Sequence, residues 1–378
     1  MRYKTLLRPS TIFVLITTLY LAIYFLFLSG LIGSFLIQER VFNALGFLNL
    51  ISLIGFSFLG LFLGERIEIQ NCNFKVRYQI PETLLFTLIL AINVIASVSI
   101  YNGVLSNLIH GRSIFSLSFL ISLMGNAYRN VIVWGEGYTI LNNLFFVSIS
   151  FSSYYYQKTH YKKYKFIIYY NIVLIVLSSL LYGARIKFVV LFTIVFLNYL
   201  RKNKYLKKVN FSKLLIILLA IIFLLSFWGG VRGVVNNVYK KWTDNIFIWN
   251  FRVFTDYFVS TTMFSVEGLG SDKNVSLSEI RDNLGPYEIR GYTNFGRYID
   301  IYRSFGLFPF PFLFTFLTSF IYGIVWKSFD KGRKFGLLFY PYVFYFVAEG
   351  LRIEPLLVLD FQFIIIVMFL LYLLPVKL

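Results

Sequence analysis

The chain has 378 residues, of which 58% are hydrophobic and 14% charged, and it carries a formal net charge of +19. Apolar runs of membrane-spanning length recur from end to end, which excludes a soluble core and points to an all-α polytopic membrane protein. A single Cys, Cys72, and two His exclude an internal disulfide and a Cys/His metal cluster, so no metal site and no cofactor is expected.

In chain order, about ten transmembrane helices are predicted, over 10–36, 43–64, 83–105, 138–156, 166–183, 186–200, 214–229, 307–326, 336–349 and 356–375. The 186–200 segment makes only about 22 Å of helix, so Lys187 and Arg201 must snorkel or the bilayer must thin around it. The first span is too long for a cleaved signal peptide, and no small-residue cleavage pattern follows it.

Charge fixes the orientation, because short loops rich in Lys and Arg stay in the cytoplasm. With the N-terminus inside, the inner loops are 65–82, 157–165, 201–213, 327–335 and the C-terminal tail, which with the N-terminus hold 21 of the 36 basic residues. Both termini are then cytoplasmic. The basic excess is a topology signal, and no nucleic-acid partner is implied. The long segment 230–306 carries nine basic against eight acidic residues and is predicted as one large extracytoplasmic loop within a single membrane domain, 1–378.

Two further apolar stretches are not counted as spans. Counting 114–135 would place the lysine clusters of 157–165 and 201–213 outside, so it is read as an outer-face amphipathic or re-entrant helix. The stretch 246–264, "IFIWNFRVFTDYFVSTTMF", carries Arg252 and Asp256 and is expected on or in the outer leaflet.

Once the inner clusters are set aside, five arginines stand at outer span ends: Arg185 in "YGARIKF", Arg232 in "GGVRGV", Arg297 and Arg303 in "NFGRYIDIYRSFG", and Arg352 in "EGLRIEP". Guanidinium is a planar, permanently charged fork that matches phosphate oxygens, and neighbouring glycines let backbone approach a ligand. Each arginine alone also fits a snorkelling interface residue; five together fit a phosphate or pyrophosphate held at the outer face. On the same face Asp256, Glu267, Asp300 and Glu349 are candidates for a general base or for holding a sugar hydroxyl. Asp300 with Arg303, and Glu349 with Arg352, also have the three-residue spacing of simple helical ion pairs. His160 lies in an inner lysine loop, His110 is read as an interfacial anchor, and 230–306 contains no His from which a catalytic triad could be built.

Three stretches carry a resemblance: "LLYGARIKFVVLFTIVFLNYL" (180–200), "YTNFGRYIDIYRSFGLFPFPFLFTFLTSFIYGIVWKSF" (292–329) and "FVAEGLRIEPLLVLDF" (346–361). In order, spacing and topology they resemble the Wzy-type polymerases of bacterial O-antigen and capsule repeat units, with a Gly-x-Arg turn, a "dFG"-like turn and an arginine after the penultimate span. Ser304 stands where that turn normally has an acid, leaving Asp300 as the nearest carboxylate. The resemblance implies a GT-C-like fold in the bacterial inner membrane. It also implies metal-independent, inverting transfer of a glycan from undecaprenyl pyrophosphate to a lipid-linked acceptor on the outer face. Arg232, Arg303, Arg185, Arg352 and Arg297 would bind pyrophosphate. The implied partners are the lipid-linked donor and acceptor, membrane lipid and a chain-length regulator protein. Two rivals remain: an O-antigen ligase, a family that uses a loop histidine this chain lacks, and a flippase or transporter, which calls for repeat symmetry and charges within the spans.

Overall fold

The computed structural model describes residues 7–33, 42–67, 79–109, 141, 143–182, 189–195, 197, 246–271, 297–305, 309–351 and 354–377. The helices are α1 (Pro9–Leu28), α2 (Ala44–Gly64), α3 (Glu82–Ile109), α4 (Leu144–Thr159), α5 (Lys162–Tyr182), α6 (Ile246–Gly270), α7 (Arg297–Phe305), α8 (Phe310–Asp330), α9 (Lys334–Ala348) and α10 (Leu359–Leu373). Residues 189–195 are also helical. Among the described residues α1, α2 and α8 are long and apolar enough to cross a membrane. The helices overlap the predicted spans, except that 214–229 lies outside the described residues, as does the whole of the uncounted stretch 114–135.

The chain divides into two compact units, Met1–Asn71 with Phe251–Val358, and Cys72–Asn250 with Leu359–Leu378. In the second, α4 is buried at every residue from Leu144 to Tyr155. Asn171 of α5 donates to Ser148 Oγ of α4 at 3.0 Å. At one end of that unit Glu82 of α3 accepts from Tyr164 and pairs with Lys163, both at 2.8 Å. There β1 (Ile80–Pro81) pairs in parallel with β2 (Val376–Lys377).

The first unit contains all of the candidate residues that are described. Pro9 opens α1, where a missing N–H costs nothing. The free amide of Ser10 donates to Glu65 Oε1 at 2.8 Å and its hydroxyl to Oε2 at 2.9 Å, tying the start of α1 to the end of α2. At the opposite end of α2 the Asn43 side chain accepts from Gly46 N at 3.0 Å. Helix α8 lies along α2 in four-residue steps: Phe56 meets Phe312, Gly60 meets Phe316 and Gly64 meets Phe320. The glycines let the two backbones touch, so this seam is held by dispersion rather than by apolar burial, which lipid does not reward.

Helix α6, which contains the stretch expected on or in the outer leaflet, packs against α1 and α2. Its second half is enclosed on all sides, with Val259, Ser260, Thr262, Met263, Ser265 and Val266 all buried. Phe258 packs on Tyr20 of α1, and Val266 packs on Gly46 of α2. Hydroxyls that read as polar in sequence are made compatible with this interior by back-bonding: Thr262 of the "STT" donates to Phe258 O at 2.9 Å, and Ser265, one turn on, to Thr261 O at 2.7 Å.

The turn after α9 also sits deep. With 15 residues α9 is about 22 Å long. Gly350, at φ +58°, then turns the chain against Ile16. Ile16 lies roughly 10 Å from the Pro9 end of α1 and roughly 18 Å from its Leu28 end. Non-helical backbone at such depth is tolerated where protein surrounds it.

Candidate functional site

Helix α7 is nine residues long, too short to span a membrane, and its first turn is fixed from below by the turn that follows α9. Arg297 N–H donates to Leu351 O at 2.6 Å, and its side-chain Nε donates to Glu354 Oε2 at 2.7 Å. The other carboxylate oxygen, Oε1, accepts from Tyr322 Oη of α8 and from Leu356 N, both at 3.3 Å. Arg297 is 1% exposed and Glu354 fully buried. Arg297 Nη2 has no hydrogen-bond partner among the described residues. The next side chain, Tyr298, shares a hydrogen bond of 2.8 Å with Ser57 Oγ of α2.

The electrostatics follow from burial. The Glu354 carboxylate holds the guanidinium of Arg297 charged against its desolvation, raising its pKa. One turn along α7, Asp300 is half-buried. Burial first, and the negative charge of Glu354 second, push its carboxyl up to about 7, while Arg303 pulls the other way. Arg303, a further turn on, is lowered by its own burial and raised by Asp300. A carboxyl poised near neutrality beside a guanidinium can take a proton from a hydroxyl while the cation receives developing negative charge.

The structure thus brings together Asp300, Arg303 and Arg297, but in different roles. Arg297 faces Glu354 in the interior, while Asp300 and Arg303 stand partly open. Glu349 caps α9, its N–H donating to Tyr345 O at 2.9 Å, and begins the turn that carries Glu354. Glu267 stands elsewhere, near the Asn43 end of α2, half-buried and hydrogen-bonded by the Asn43 side chain. Its Oε1 and the hydroxyl of Tyr24 have no hydrogen-bond partner among the described residues. Asp256 lies within α6. Arg185, Arg232 and Arg352 lie outside the described residues.

Sequence reasoning missed Glu354, Tyr322 and Ser57. One signal was available for Glu354: a carboxylate directly before Pro355 at the head of an apolar run is costly unless something pairs with it.

The fold and this site define an all-α membrane protein with a buried charged network beside a short interior helix. Comparison of the chain with protein-family models, curated proteins and solved structures found no match in any of the three.

Proposed function

We propose that the protein is a polymerase of undecaprenyl-pyrophosphate-linked oligosaccharide repeat units. The observation that supports this best is the placing of Asp300 and Arg303 one turn apart on α7, half-open above a closed Arg297–Glu354 pair. In the proposed step an acceptor sugar hydroxyl attacks the anomeric carbon of the donor glycan. Asp300 takes the hydroxyl proton as the new C–O bond forms. The bond from the anomeric carbon to pyrophosphate breaks with inversion, and its electron pair leaves on the pyrophosphate oxygen, where Arg303 receives the charge. The sequence pattern adds Arg232, Arg185 and Arg352 as further pyrophosphate ligands. The same proposal has about ten spans in the bacterial inner membrane, both termini in the cytoplasm, and 230–306 on the outer side. Its partners are lipid-linked donor and acceptor, membrane lipid and a chain-length regulator.

The depth of the charged network favours a second reading, a flippase or transporter, since ion pairs well inside the membrane are a feature of translocation pathways. One experiment separates the readings. A deletion strain should attach single repeat units to its acceptor and make no ladder, whereas loss of a flippase traps single units on the cytoplasmic leaflet, and loss of a ligase leaves long chains on the lipid carrier. Long lipid-linked chains in the deletion strain overturn the polymerase. Purified protein should extend lipid-linked units in EDTA, and activity abolished by chelation overturns the metal-independent step.

A further inference from the structure

We infer that Glu354 is a positioning residue: it clamps α7, through Arg297, to the backbone that follows α9 and so fixes where the Asp300 carboxyl and the Arg303 guanidinium stand. This rests on the reading of Asp300 and Arg303 as the groups that meet substrate.

Glu354 is fully buried, so substrate does not reach it. Stability alone does not account for it either, because a buried ion pair is commonly matched or bettered by apolar side chains of similar volume. What such a pair adds over an apolar contact is direction. The planar guanidinium of Arg297 meets Glu354 Oε2 at 2.7 Å while its own backbone N–H holds Leu351 O at 2.6 Å. Two bonds from one residue to one turn fix both the position and the rotation of the first turn of α7. Tyr322 Oη and Leu356 N, each at 3.3 Å from Oε1, hold the carboxylate itself. Slipping a helix by one residue rotates its face by about 100°. Such a slip would turn the face that Asp300 and Arg303 share away from its present direction, and the clamp opposes it.

Glu354 also acts through its charge. The charged groups bearing on Asp300 are Glu354 from the turn, which raises its carboxyl, and Arg303 from its own helix, which lowers it. Arg297 and the hydroxyls of Tyr298 and Tyr322 complete the surroundings of the pair. Neutralising Glu354 removes the nearby negative charge, which favours ionised Asp300.

The test uses full-length protein in nanodiscs with two readouts. The first is infrared titration of the Asp300 carboxyl band, assigned by its loss in Asp300→Asn. The second is the pH dependence of chain extension on lipid-linked repeat units. Glu354→Gln should lower the Asp300 midpoint and the acid limb of the rate together, by on the order of one pH unit, and cut kcat by up to roughly 100-fold through misplacement. Glu354→Asp keeps the charge but shortens the reach, so it should lower kcat with the midpoint unchanged. An unchanged midpoint and rate in Glu354→Gln overturns the inference. If Glu354→Gln does not accumulate, a full rate in Glu354→Asp overturns it. A wild-type protein that extends no chains, yet shows the band shifting with Glu354→Gln, sinks the polymerase reading and leaves the control of Asp300 by Glu354 standing.

Discussion

Tyr298 and Ser57 share a hydrogen bond of 2.8 Å, and this contact measures how far α7 has entered the protein. Ser57 lies roughly 20 Å from the Ala44 end of α2 and roughly 10 Å from its Gly64 end. The hydroxyl of Tyr298 therefore meets α2 well along its length and not at a helix end, where the sequence alone places the arginines. A Cys at exposed Ser304 in a Cys72→Ser background should react with small polar thiol reagents, more slowly than a Cys at Ser276, and not with bulky ones. Equal rates at both positions with a bulky reagent would contradict the depth.

The Arg297–Glu354 pair should show strong coupling in a double-mutant cycle. Arg297→Met leaves a carboxylate buried alone and should destabilise by about 3–5 kcal/mol, whereas Arg297→Met combined with Glu354→Met should recover most of that loss. Thermal unfolding in detergent reads both. The double variant should nonetheless lose activity, since the clamp on α7 is gone.

The seam between α2 and α8 depends on backbone contact. A Cβ on Gly323 would stand 2.5 Å from Leu61 O and 2.7 Å from Glu65 N. Gly323→Leu or Gly60→Leu should abolish accumulation in the membrane or lower stability by more than the ~1–3 kcal/mol typical of overpacked side chains, because backbone has to move. Gly55→Ala, which meets nothing within 4 Å, is the control and should behave as wild type. Normal accumulation of Gly323→Leu would argue against the close seam.

Asp300 makes a signed prediction with pH. Its carboxyl rises from its ordinary value of 3.8 to about 7 in the folded protein. Between those values the folded state holds a proton that the unfolded state has released, so stability falls as pH rises through this window. Below 3.8 both states are protonated and the term is constant. Asp300→Asn should flatten the decline, seen as a smaller change of Tm across the window, and an identical pH dependence in the two proteins would refute the raised carboxyl. If Asp300 is the base proposed above, the extension rate should show an acid limb near 7.

Arg303 and Arg232 should act on pyrophosphate by geometry more than by charge. Replacement of either by Lys should then be nearly as damaging to extension as replacement by Ala, with normal protein levels, because an ammonium offers a point charge and no planar fork. Full polymer synthesis by the Lys variants would show that charge suffices.

Apolar length and basic loops made the membrane class, most helix positions and the candidate status of Asp300 and Arg303 legible from the sequence. Those signals are local, being set by side-chain transfer into lipid and by the three-residue spacing that puts two groups on one helical face. The role of Arg297 was not legible, because its partner Glu354 is 57 residues away and only folding brings the two to 2.7 Å. The enclosure of α6 was hidden for a different reason: its Ser and Thr read as polar until their hydroxyls are seen bonding to carbonyls of the same helix. Depth was the third thing only the tertiary structure decided. A short α9 and the turn at Gly350 bring Glu354 inward, Tyr298 reaches Ser57, and so Arg297, which sequence placed at an interface, is held in the interior with Glu354, where desolvation gives the pair its leverage on Asp300 and Arg303, which stand partly open beside it.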